Sequence, residues 1–210
     1  MLTFIFHGSL FKLSAAAAEN EDNKINAEYK LKAAFIYNFM KFVEWPDFHS
    51  DSQSNKSEKN KETVVLGVLG ENHLKDHLNS LSEKTIKDRP VKIVIVDTFE
   101  AYKKKNSKAA VKDYYTEIQK IMSSCHLLFV GASEKERVAE ILKLTEKMPV
   151  LTVSDISHFA EAGGVIEFVT EKNKIQFNIN TVSAEAKKLK ISSQLLQLAR
   201  KVYKKEIPKS

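Results

Sequence analysis

Four short stretches constrain this chain's fold more than anything else in it: "TVVLGVL" (63–69), "VKIVIVD" (91–97), "HLLFVG" (126–131) and "VLTVS" (150–154). Each is a near-continuous apolar run of strand length, and helix-patterned segments separate them. A strand that is apolar on both faces must be covered on both, and intervening helices supply the covers. The pattern therefore predicts a three-layer α/β fold around a mostly parallel sheet. Helices are expected through Leu74, Leu78 and Leu81, from about Ala109 to Met122, and from Ser133 onward. Ser133 and Glu136 have the spacing of a capping-box pair ahead of Val138, Ile141 and Leu142. A short turn of helix through Ile156 and Phe159 should end at Gly163-Gly164.

The last quarter of the chain changes character. "VIEFV" and "IQFNIN" flank the polar "TEKNK" and read as an antiparallel hairpin, placed here at one edge of the sheet. In the second arm Ile175, Phe177 and Ile179 alternate with Gln176, Asn178 and Asn180, the pattern of an edge strand with one wet face. Ser183 is placed to cap a short helix, and Ser192 or Ser193 to cap the last one. That last helix carries a Leu195, Leu198, Ala199, Val202 stripe and shows Gln194, Gln197, Arg200 and Lys201 on its other side.

At the other end, "LKAAFIYNFMKFVEWPDF" (31–48) reads as a helix from about Ala27 to Glu44, stopped by Pro46. Wound at about 100° per residue, Lys30, Tyr37, Lys41 and Glu44 fall near one line, while Leu31, Phe35, Ile36, Phe39, Met40, Phe42 and Val43 spread over roughly 180°. That arc is wider than one sheet face needs. The surplus is expected under the last helix, with a homodimer as the other cover. Ahead of it, residues 1–18 have the apolar stretch and the Ala16-x-Ala18 site of a secretory signal peptide, and 19–26 form a polar lead-in. Cleavage after Ala18 would leave a chain of charge +5, since Lys12 leaves the total of +6. With 210 residues the chain suits one domain, taken as 27–203, with a mobile polar loop at 50–62 and a basic tail at 204–210.

The chemistry that the sequence excludes is as informative as what it offers. No GxGxxG, Walker A or GxSxG sequence is present, and no cofactor motif appears. The acids and the lysine of a phosphoacceptor receiver are missing at the strand ends. One cysteine, Cys125, precludes an internal disulfide and reads as buried and inert. His73 and His77 stand i, i+4, yet no third metal ligand accompanies them, and a solvated helix face is the reading kept. The lysines are not interleaved with aromatic residues, which argues against nucleic acid as a partner. Ligands of such folds sit beyond the carboxyl ends of the strands. Asp97, Ser133 and Asp155 are the polar residues available there for a ligand crevice.

Six stretches, in order, carry a resemblance: "LKAAFIYNFMKFVEWP", "CHLLFVG", "PVLTVSD", "FAEAGGVIEFV", "IQFNIN" and "LKISSQLLQLAR". From Ala27 to about Val202 the chain resembles the YfiR/HmsC-like family of bacterial periplasmic proteins. The resemblance implies a Rossmann-like fold and a periplasmic, non-enzymatic regulator. Its expected partner is the periplasmic region of an inner-membrane diguanylate cyclase, whose repression lowers cyclic-di-GMP output and biofilm formation. A ligand-sensing or solute-binding module feeding a sensor kinase is the alternative. Redox-sensitive disulfides associated with that family's best-described member have no counterpart in a chain with one cysteine. The polar row of the hairpin arm and the last helix, Gln176, Asn178, Gln197 and Arg200, is the expected partner interface.

Overall fold

The apolar runs do form the centre of a parallel sheet. In the computed structural model, which describes residues 8–46, 63–70, 73–108, 111–172 and 174–205, these strands are β2 (Val64–Leu69), β4 (Arg89–Val96), β5 (Leu127–Val130) and β6 (Leu151–Ser154). A fifth, β7 (Ile166–Glu171), lies parallel to β6, and β8 (Lys174–Asn180) returns antiparallel to it. Four short strands were not foreseen, two at this sheet's ends and two in a ribbon beside its opening helix. β3 (Thr85–Ile86) pairs antiparallel with the start of β4, and β10 (Lys201–Tyr203) runs parallel to β8. β9 (Lys190–Ile191) pairs with β1 (Val43–Glu44) in a separate two-stranded ribbon. The order across the main sheet is β10-β8-β7-β6-β5-β2-β4-β3.

Strand alternation distributes the side chains to two cores. Val64, Leu66, Val68, Leu127, Phe129, Leu151, Val153, Phe168, Phe177 and Ile179 face one side. There they meet α1 (Gly8–Phe42) and α2 (Asn79–Ser82). Leu69, Val96, Leu128 and Val130 face the other, against α3 (Phe99–Lys105), α4 (Val111–Ser123) and α5 (Val138–Thr145). The three-layer expectation holds. Phe39 of α1 is the hub of an aromatic cluster, with its ring 5.0 Å from Phe177 and 5.6 Å from Phe168. Phe35 stands 5.7 Å and 6.1 Å from the same two rings. These edge-on and tilted contacts add to plain apolar burial. α6 (Thr181–Ala186) and α7 (Ser193–Leu198) close the same side, so most of the wide apolar arc of α1 is met within the chain. Trp45, buried, donates its indole N–H to the His126 carbonyl, 2.9 Å away.

Several local expectations are corrected. α1 begins at Gly8 and includes the polar lead-in, because "AAAAENEDNK" contains no helix breaker. It ends at Phe42, not Glu44, since Val43 and Glu44 leave to pair with Ile191 and Lys190. Ser133 caps no helix. The chain leaves β5 through an extended Gly131 into a 3-10 turn, Ala132–Arg137, before α5 starts. Asn180, not Ser183, caps α6, its side chain accepting from the Ser183 N–H at 2.9 Å. Segment 156–163 is a run of turns whose Gly164 exit is obligatory: a Cβ there would lie 2.1 Å from the Phe159 ring. The hairpin pairs as far as Glu171↔Lys174, so its turn is shorter than "TEKNK". α7 stops at Leu198, which is 69% exposed, and Val202 belongs to β10, so the four-residue stripe does not exist as a helix face. Ser192 does cap α7. The polar loop at 50–62 lies outside the described residues.

Candidate functional site

A cavity of about 400 Å³ opens where α1 crosses the carboxyl ends of β5 and β6. Its lining includes Glu28, Tyr29 and Lys32 from α1, Asp155 just after β6, and Glu167 and Phe168 from β7. Lys32 is the centre of it. Its ammonium lies 2.8 Å from Asp155 Oδ2 and 2.8 Å from Glu28 Oε1, and 4.2 Å from the centroid of the Tyr29 ring. The Tyr29 hydroxyl donates to the same Asp155 Oδ2 at 2.6 Å, and Thr170 donates to Glu28 Oε1 at 3.0 Å. Burial, and then the hydrogen bond to Asp155, push the Tyr29 phenol above its ordinary range, so it remains a donor. Asp155 is only 9% exposed, and among the described residues its Oδ1 has no hydrogen-bond partner.

Two buried polar groups hold the turn that frames this cavity. Glu167 accepts from the His158 and Ala160 backbone N–H groups, both at 3.1 Å, which ties segment 156–163 to β7. Ser154 donates to the Val130 carbonyl at 2.7 Å and accepts from the Ile156 N–H at 3.0 Å, fixing the chain as it leaves β6. Asp155 is thereby presented towards α1. Helix spacing accounts for the other half, because Glu28 and Lys32 are i, i+4 and share a face.

The crevice residues expected from sequence are thus divided. Asp155 lines the cavity. Asp97, after β4, accepts instead from exposed Lys105 at 2.6 Å and receives the Tyr114 hydroxyl on its backbone carbonyl. Ser133 lies against Gly70 and near the buried Glu134, and neither Asp97 nor Ser133 lines the cavity. Glu134 is held between opposing effects, with burial raising its carboxyl's pKa and Arg137 lowering it. The partner row is divided too. Gln176, Gln197 and Arg200 are exposed, and the Arg200 N–H donates to the Phe177 carbonyl at 2.8 Å, bringing the end of α7 onto β8. Asn178 is not on a wet face: it is 4% exposed, cross-strand from Glu167 and covered on its other side by Lys201 of β10. Arg200 already has a partial counter-ion, Glu171, at 3.6 Å.

Among the described residues no group of three His, Cys, Asp or Glu is disposed to hold a metal ion, and no helix is long and apolar enough to cross a membrane. Cys125 is buried against Gly67, and desolvation raises its thiol to about 11. Such a thiol is a poor nucleophile at neutral pH.

No curated protein matches the chain in sequence. Among solved structures, a conserved domain protein from Vibrio cholerae O1 biovar El Tor is similar at 9% identity and a TM-score of 0.46, with 66% of this chain and 54% of that one covered. An ABC domain in complex with L-Trp from Streptococcus pneumoniae gives 11% identity and a TM-score of 0.44, with 66% and 55% covered. This chain therefore spans about half the length of each. The family comparison is of another order, since the YfiR/HmsC-like model matches residues 29–200, from Tyr29 of the cavity on α1 to the last residue before β10. The chain belongs to the YfiR/HmsC-like family.

Proposed function

We propose that this protein is a periplasmic, non-enzymatic regulator that represses a membrane-bound diguanylate cyclase by engaging the cyclase's periplasmic region. Family membership over residues 29–200 carries the reading. The surface assigned to the partner is the exposed part of the expected row, Gln176, Gln197 and Arg200, at the β8–β10 end of the sheet. An arginine there can anchor a carboxylate by two hydrogen bonds, in exchange for its long contact with Glu171. Export through residues 1–18 would deliver the chain to that compartment. In cells of the native host, Gln197→Ala with Arg200→Ala should raise cyclic-di-GMP while the melting temperature stays nearly unchanged. Full repression by that double variant, exported and stable, would remove the patch from consideration.

The cavity beside Asp155 supports a second reading, a ligand-sensing module that feeds a kinase or relieves repression. A buried carboxylate oxygen without a partner is costly, and a bound donor reached by a small shift of the turn would satisfy it. Ligand-induced thermal stabilisation that Asp155→Asn abolishes is the outcome this reading requires.

A further inference from the structure

The two ends of the main sheet are finished differently. At one end β10 covers β8 over Asn178, Ile179 and Asn180. At the other, β3 pairs with β4 only at Pro90 and Arg89, and one further backbone bond joins the Val91 N–H to the Lys84 carbonyl. Beyond Val91, no described strand lies on the outer side of β4, although its inner side is paired with β2 from Val91 to Val96. An unpaired strand edge is a template for another strand, and proteins ordinarily blunt it.

Pro90 and the exposed Lys92 interrupt and charge the start of this edge, but its apolar residues are open from Ile93 on. Ile95 is 48% exposed, and Ile93 and Val94 are only half-buried. A groove of about 580 Å³ follows the same stretch, lined by Val91, Ile93 and Ile95 of β4 and by Lys75 and Leu78 from the neighbouring turn and α2 approach. Lys92, Thr63 and Ser82 complete the lining, and no acidic side chain contributes to it among the described residues. We propose that the outer edge of β4 and its groove dock an extended, acidic segment of a partner protein, added to the sheet as a further strand. Backbone hydrogen bonds supply the pairing, and alternate apolar side chains of the segment fill the groove over Ile93 and Ile95. The intervening carboxylates meet Lys92 on the other face, with Lys75 at the groove's rim for an acidic end of the segment. A second copy of this chain fits poorly, because two-fold pairing of the same edge would bring like lysines together. This surface lies at the opposite end of the sheet from Arg200 and stands independently of what the protein represses.

The test uses the full chain and a capped peptide of alternating glutamate and valine, about six residues long as in an ordinary strand, beside its lysine–valine counterpart. The acidic peptide should bind at least about tenfold more tightly and slow amide exchange along Lys92 to Val96. Lys75→Glu with Lys92→Glu should reverse the preference, and Ile95→Asp should abolish binding without lowering the melting temperature. Equal binding of both peptides, protection at β8 instead of β4, or no binding at millimolar concentration would each overturn the proposal. So would a dimer in sedimentation that Ile95→Asp dissolves, because that result gives the edge to a second copy.

Discussion

Lys32 occupies the middle of the apolar face of α1, three, four and seven residues before Phe35, Ile36 and Phe39, and it is 3% exposed. A buried ammonium is tolerated only with counter-charges in good geometry, and Glu28 and Asp155 supply them. Lys32→Met should therefore lower stability by about 3–5 kcal/mol, the range for breaking a buried pair. Lys32→Met with Asp155→Asn should lose less than the sum of the single changes; additive losses in a denaturation cycle would show the pair is not coupled. Of this cluster only Asp155 was legible in the sequence, as a polar residue beyond a strand end; Glu28 and Lys32 have the i, i+4 spacing of a helical pair but are not singled out by it. The pairing itself was not legible, because Asp155 lies 123 positions from Lys32 and no periodicity links it to α1. Lys187 makes a different case. It is buried, donates to the Thr145 carbonyl at the end of α5, and desolvation lowers its pKa from 10.5 to about 8. Between those values the unfolded chain holds the proton and the folded one does not, so stability rises with pH across that window. Below pH 8 the folded state carries the whole penalty, about 3 kcal/mol. Chemical denaturation from about pH 7.5 to 9, below the range in which the raised Cys125 thiol pulls the other way, should show this rise in the wild type and its absence in Lys187→Met; equal slopes would refute the assignment.

Among the elements, α1 decides most. Phe39 is fully buried and touches rings on both arms of the hairpin, so Phe39→Ala should cost about 3–5 kcal/mol. A loss under about 1 kcal/mol, typical of an exposed site, would contradict that packing. Phe42, expected beside it in the core, is only half-buried, and its truncation should cost less. The long elements were readable because their signal is intrinsic: a continuous apolar run fits a doubly covered strand wherever the chain places it. The short ones were not. β1, β3, β9 and β10 have two or three residues each, and their conformation is set by the neighbour they pair with. Val202 satisfies a helix stripe and a strand equally well, and the helix ended first, at Leu198. Asn178 failed for the same reason. Alternation assigned it correctly to the face opposite Phe177, but β10 takes β8 off the sheet's edge and the turns after β6 cover that face.

Across the whole molecule, two cores share one sheet, and they differ in how far along the chain they reach. The core on the α4 and α5 side draws its described members from a single stretch, Leu69 to Phe159. The core under α1 joins the first helix to residues of α6 and α7, with Phe39 meeting Phe177. Contacts so distant in sequence form late, since the intervening loop must be closed before any of them rewards the chain. A ribosome or translocon delivers α1 first, and its phenylalanines stay uncovered until β7 and β8 have emerged. During that interval the amino-terminal helix is a natural client for a holding chaperone. A nascent chain stalled between β6 and β7 would be recognised as unfinished by any protease that reads exposed aromatic side chains.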